Sequence, residues 1–181
     1  MQRCSWCNPN NPLYIEYHDN EWGKPVYDDK TLFEFLVLEP FQAGLSWETI
    51  LNKREAFRSA FDDFDYKKIS SYDSQKVEEL MQNKGIVRNR RKILATINNA
   101  KIFMNIQSEK SSFSKYIWSF TDGKFVYEND KTKSILSDTI SNDLKRRGMT
   151  FVGTTIIYSY LQAIGIINSH EDNCSLNKNH P

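Results

Sequence analysis

Near its end the chain reads NSHEDNC, residues 168–174, with His170 and Cys174 four positions apart in polar sequence. Near its start it reads RCSWC, residues 3–7, followed by YHD at 17–19. Thiolates and imidazoles are the donors that a zinc ion takes most readily. Cys4, Cys7 and Cys174 are an odd set of three in a chain whose start carries no apolar export segment. Reduced thiols, a metal site and a cytoplasmic setting are therefore expected in preference to a disulfide framework. The C-x-x-C spacing leaves open whether Cys4 or Cys7 would be the ligand, and His180, in a polar tail, is read as uninvolved.

A second chemical candidate is Glu39, in TLFEFLVLEPFQAGLSW, residues 31–47. At helical spacing Leu32, Phe35, Leu36 and Glu39 share one stripe, while Glu34 points elsewhere. A carboxylate that ends an apolar face must meet a donor or a cation, or hold a proton with a raised pKa. Pro40 disfavours helix at Glu39, and Gly44 with Ser46 turns the chain so that Trp47 follows closely. Glu39 beside an indole suits a flat, cationic or amine-bearing ring. The commoner fate of a glutamate is a surface pair with a lysine. Trp6, Tyr14, Tyr17 and Trp22 surround His18 in a segment poor in aliphatics, and they offer faces for stacking and donors for hydrogen bonding.

The third candidate is NKGIVRNRRK, residues 83–92, a tight connection between two helices with Arg88, Arg90 and Arg91 around it. Outward amides at a helix start together with arginines bind phosphate without reading sequence. The alternative is an ordinary helical hairpin closed by Gly85 as a C-cap. Charge is segregated although the net value is only +1. Acids crowd 16–39, Lys84, Arg88, Arg90, Arg91, Lys92 and Lys101 occupy 84–101 without an acid, and Lys145, Arg146 and Arg147 form a second cluster.

The elements that must hold these residues are helices. Asp28 or Asp29 caps one running to about Glu39, and Ser46 caps WETILNKREAFRSAF. Asp65 opens a short turn of helix, Asp73 or Ser74 opens one that stops at Gly85, and a long helix runs from about Asn89 to Gln107. A short helix around SFSKYIWSF and two more at about 137–147 and 154–165 follow, with a polar loop or short ribbon at 122–135. The class is all-α, one domain over 1–181. No apolar run reaches the roughly 18 residues needed to cross a bilayer, so no membrane partner is expected.

The runs RCSWC, NPLYIEYHDNEWGKP, LEPFQAGLSW, KGIVRNRRKI, FVGTTIIYSYLQAIG and HEDNC, in that order over residues 2–175, resemble the 3-methyladenine DNA glycosylase I family. The resemblance implies a helix-hairpin-helix glycosylase fold whose two ends are joined by one structural zinc, with Cys4, His18, His170 and Cys174 as ligands. Two thiolates and two imidazoles fill a tetrahedral shell and leave no open position.

It further implies that Glu39 recognises the base, that Tyr17 and Trp47 wall the pocket, and that Trp6 and Trp22 support it. Lys84, Gly85, Arg88, Arg90 and Arg91 would form the DNA-gripping hairpin, and Gly153, Thr154 and Thr155 backbone contacts to DNA. The implied reaction is hydrolysis of the N-glycosidic bond of 3-methyladenine in alkylated double-stranded DNA by a monomer, after the nucleotide flips out, with the free base as product. Pro40 and Phe41 depart from the family's small or polar residues and predict an altered pocket. The helix after the hairpin, NRRKILATINNAKIFMNIQ, lacks the aspartate that other helix-hairpin-helix glycosylases use, in keeping with this family. Two rivals from other classes remain: a zinc-stapled module that binds damaged bases without cleaving them, and a helical interaction protein with an incidental metal.

Overall fold

A computed structural model describes residues 1–177, and His180 lies outside them. The elements run α1 Pro12–Glu16, a π-helical turn Tyr17–Glu21, α2 Asp29–Gln42, α3 Trp47–Ala60, α4 Tyr66–Ile69, α5 Ser74–Gln82, α6 Arg90–Lys110, α7 Phe113–Ser119, β1 Val126–Tyr127, α8 Ile135–Arg146, α9 Thr154–Ala163 and β2 Ile167–Asn168. The expectation of a helical protein holds. The two strands pair parallel over two residues, Val126 with Ile167 and Tyr127 with Asn168, and tie the 122–134 loop to the chain just before His170.

Side chains set most helix starts. Asp28, Ser46, Asp65, Asp73, Asn89, Ser112 and Ser134 each accept a first-turn amide of the helix they precede. The same is true of Asn11, whose helix α1 was not foreseen even though Asn11 followed by Pro12 is a start signal. Beyond α1 the chain widens into a π-turn in which the Trp22 amide donates to the Tyr17 carbonyl at 2.8 Å.

Helix α2 is the axis of the fold. It packs against α3, α6, α7 and α9, and every residue from Leu32 to Phe41 is buried. The single apolar stripe expected from the sequence is thus too narrow, and Glu34 lies inside as well. Arg54 Nε donates to Glu34 at 2.6 Å and Arg58 Nε at 3.0 Å, while Arg54 Nη1 reaches Glu21 of the π-turn at 2.7 Å. Removing one partner from a buried network of this kind costs about 3–5 kcal/mol, because the charge left behind has no water.

Two local expectations are corrected. Pro40 does not end α2, which continues to Gln42. Proline forfeits the amide bond to Leu36, but Phe41 is fully buried against Phe57, with ring centroids 4.9 Å apart, and this packing draws the last turn into the core. Gly85 is not a left-handed C-cap, since α5 stops at Gln82 and the φ of Gly85 is not positive. A Cβ at Gly85 would lie 3.0 Å from Ala56 Cβ, so the turn passes close to α3 and a side chain there would crowd it. The basic clusters also change character. Arg146 and Arg147 pair with Asp143, Arg147 also with Glu109, and Lys92 is buried.

Candidate functional site

The π-turn gives successive residues different neighbours. Tyr17, 3% exposed, faces a cleft, and His18, fully buried, faces the chain ends. Those ends are knitted together: Gln2 and Ser175 exchange hydrogen bonds at 2.9 Å, and the Ser5 amide and hydroxyl donate to Glu171 at 2.8 and 2.6 Å.

Where the ends meet, one donor atom each from Cys4, His18 and Cys174 lie within 4.8 Å of one another, all three residues buried. Arg3 donates to Asp19 at 2.6 Å and holds its carboxyl below the usual range. Asp19 in turn sits 2.8 Å from His18 Nδ1, which puts that ring proton on Nδ1 and leaves Nε2 toward the sulfurs, 3.6 Å from Cys174 Sγ. His170 is not in the group of three but stands against it, its ring centroid 5.3 Å from that of His18. Its Nδ1 is 2.9 Å from Asn168 Oδ1, and its buried Nε2 has no hydrogen-bond partner among the described residues. An orphaned imidazole nitrogen beside two thiols and a second imidazole is the donor set a tetrahedral zinc takes. Gly23 makes room for it, since a Cβ there would meet His170 Cε1 at 2.8 Å. Cys7 is not in the group of three, and its thiol donates to the Tyr14 carbonyl at 3.6 Å.

The cleft lies against this cluster and holds about 330 Å³. Tyr17, Glu39 and Trp47 line it, and Trp6 and Trp22, named from the sequence as supporting aromatics, are in the lining as well. Trp6 meets Trp22 edge-on at 4.8 Å, Tyr17 meets Trp47 at 5.4 Å, and Trp22 meets the His170 ring at 4.6 Å, so cleft and cysteine–histidine cluster share a wall. Pro40 and Phe41 do not line it.

Tyr14, named from the sequence among the aromatics around His18 but given no place in the pocket, also lines it, and so does Gln42, which sequence reasoning missed. Tyr14 precedes Tyr17 by one turn of the unforeseen α1, and Gln42 follows Glu39 by one turn of a helix that was expected to stop. The rest of the lining, Asp130, Ser159 and Gln162 of α9, Ser169 and Glu171, comes from sequence too distant to be read into the site.

Glu39 is 4% exposed and receives no hydrogen bond or ion pair from the described residues, and burial alone pushes its pKa up to about 8. The buried Trp47 Nε1 likewise lacks an acceptor. The cleft therefore presents an unanswered acid and an unanswered donor between aromatic faces, an arrangement that suits a flat, polar, cation-bearing ring.

On the surface Lys84, Arg88 and Arg91 carry no ion pair among the described residues, whereas Arg90 reaches Glu78 at 2.5 Å. The amides of Ile86, Val87 and Arg88 have no acceptor among the described residues. Gly153 precedes α9 without a side-chain cap, with Thr155 exposed beside it. Thr155, Ser159 and Gln162 follow at one-turn spacing, so one face of α9 runs from that open helix start to the cleft.

The Glu39 environment has a stability signature. Folding takes up a proton between the ordinary value of 4.5 and about 8, so this contribution is full below 4.5 and is lost as pH rises through 8. Glu39→Gln cannot ionise and should gain on wild type by roughly 2–4 kcal/mol between about pH 5 and pH 9. Urea unfolding at both pH values measures this, and a constant difference would mean that Glu39 binds its proton alike in the folded and unfolded chain.

A sequence model of the methyladenine glycosylase family matches residues 6–178. The chain is 44% identical over 180 residues to the Escherichia coli (strain K12) DNA-3-methyladenine glycosylase 1, covering 96% of each. It superposes with a TM-score of 0.92 on a crystal structure of a 3-methyladenine DNA glycosylase I, at 45% identity over 97% of this chain and 99% of that one. It also superposes, with a TM-score of 0.91, on a structure describing the basis of 3-methyladenine recognition by the Staphylococcus aureus 3-methyladenine DNA glycosylase I. That match is at 37% identity over 97% of this chain and 96% of that one.

Proposed function

This chain belongs to the methyladenine glycosylase family, and from that premise we propose that it excises 3-methyladenine from alkylated double-stranded DNA. The observation that carries the reading is Glu39, a buried acid that receives no partner from the described residues and lines an aromatic cleft. The base edge offers N–H donors to that carboxyl whether the base is charged or neutral. An N3-methylated adenine carries a positive charge, which favours the ionised acid and stacks on the rings of Tyr17 and Trp47.

In the reaction the damaged nucleotide turns out of the duplex into the cleft. The glycosidic bond breaks with its electron pair going to the base, which departs neutral, while the water oxygen bonds to the sugar carbon and the water proton passes to solvent. The alkylated base is already a good leaving group, so the protein's share is to select it, orient it and exclude water. Holding the cation tightly would by itself slow the step, so the useful contacts are those that improve as the charge disappears. Glu39 accepts from the base, Trp47 Nε1 offers a donor, and Trp6 and Trp22 back the wall.

The α5–turn–α6 unit would serve as a helix-hairpin-helix grip, with Lys84, Gly85, Arg88, Arg90 and Arg91 on one phosphate stretch and Gly153, Thr154 and Thr155 on another. Cys4, His18, His170 and Cys174 would hold one zinc. Bound there it would supply a structural clamp between the chain ends, with every ligand position taken by protein. The protein is read as acting as a monomer in the cytoplasm.

Methylated DNA incubated with the protein should release free 3-methyladenine, with 7-methylguanine scored for comparison. Glu39→Gln should lose about 1–3 kcal/mol of binding to the free base, followed by tryptophan fluorescence, and proportionally less in single-turnover excision. Unchanged base affinity in the folded variant would remove Glu39 from the site.

The purified protein should carry about one zinc per molecule. Metal analysis should show loss in Cys4→Ser and Cys174→Ser and retention in Cys7→Ser; the reverse pattern for Cys4 and Cys7 would overturn the ligand set.

Changing Arg88, Arg90 and Arg91 together to alanine should weaken binding to every duplex alike and lower the salt slope by about 1 for each phosphate that is no longer neutralised. Arg90 should contribute least, since Glu78 already engages it. An unchanged slope would mean that the hairpin does not touch the backbone.

A further inference from the structure

Lys92 sits where its own helix does not want it. Among the basic residues of 84–101 it alone is buried, 7% exposed, and it stands in the first turn of α6, its amide held at 3.2 Å by the cap Asn89. A cation there opposes the dipole of α6, and burial lowers its pKa. The compensation comes from another element. The ammonium reaches across to the end of α2 and donates to the carbonyls of Ala43 at 3.1 Å and Phe41 at 3.4 Å.

Those carbonyls belong to the last turn of α2 and the turn that follows, where no further helix supplies amides. Pro40 weakens that turn by removing an amide from it. A cation at this pole is favourable both to the orphan carbonyls and to the α2 dipole. Glu39 lies two residues before Phe41, Gln42 lies between the two acceptors, and the next residues lead to Trp47, so three residues of the cleft hang on this short stretch. On its other side Lys92 is four residues from Arg88 and adjacent to Arg91.

We propose that Lys92 is a positioning residue for base recognition, its ammonium fixing the end of α2, and with it Glu39, Gln42 and Trp47, against the helix that carries the DNA grip. This rests on the reading of the cleft as a base pocket. Lys92 touches neither base nor DNA in this role, and it acts by holding the backbone of 41–43.

Lys92→Met keeps an unbranched stem and loses the charged donor, and Lys92→Arg restores a cation. In the folded Met variant, hydrogen exchange should quicken at the amides of 43–47 and stay unchanged in α7 and α8. Affinity for free 3-methyladenine and kcat on methylated duplex should each fall about tenfold, while KM and binding to undamaged duplex change less than about threefold. Lys92→Arg should recover most of the loss. Should Lys92→Met not fold, Lys92→Gln takes the same measurements.

Unchanged local exchange and base affinity would overturn the proposal, as would exchange that quickens uniformly through the protein, which marks lost global stability. A wild type that releases no 3-methyladenine would instead overturn the functional reading. The exchange pattern then decides the anchor by itself, with quickening confined to 43–47 in its favour and no change against it.

Discussion

Helix α2 is buried on every side and carries two acids, and the way each is answered organises the molecule. Glu34 receives Arg54 and Arg58, and through Arg54 it is tied to Glu21 of the π-turn, so three elements meet on one charge network. Glu39, five residues on, receives nothing from the described residues. Desolvating a carboxyl without a partner is costly, and the fold bears the cost by letting Glu39 keep its proton. One buried acid serves the fold, and the other remains available to a ligand.

The N-terminal segment shows how close packing couples two sites. A π-turn carries one more residue per hydrogen-bonded loop than an α-turn, and such turns recur at functional sites. Here it lets Tyr17 face the cleft, His18 the cysteines, and Asp19 back His18 from the far side. Trp22, at its end, is packed between the His170 ring and the cleft. In the proposed roles, a metal clamp that orders the chain ends also orders one aromatic wall of the pocket, which is why a structural site and a recognition site can share so few residues.

How much was legible in the chain alone follows from the range of the forces involved. Helix starts were legible because capping is local: Ser46, Asp65 and Asn89 each bond an amide two or three residues away. The aromatic members of the cleft and Glu39 were legible because a tryptophan, a tyrosine or an acid in an apolar run is chemically conspicuous. The order of the motifs carried the family resemblance. Local signals misled where packing outweighed them. Pro40 announced a helix end, but the burial of Phe41 held the turn, and with it went Gln42, invisible to any reading that stopped the helix at Glu39.

Residue types, their spacing and their order thus determined a helical chain, a cysteine and histidine set at both ends, a suspect acid and a basic hairpin. Only the tertiary structure decided the rest. It left Cys7 out of the group of three and brought Cys4 and Cys174, 170 positions apart, to one histidine. It brought Ser159, Gln162 and Glu171 into the lining of the aromatic cleft, and it took Lys92 out of the surface charge and into the end of α2. The physical reason is the same in each case. A capping bond or a charge block acts within a few residues and leaves its mark in the local sequence. Burial, desolvation and the pairing of buried polar groups depend on which distant segments arrive beside a residue, and that is known only once the whole core has packed.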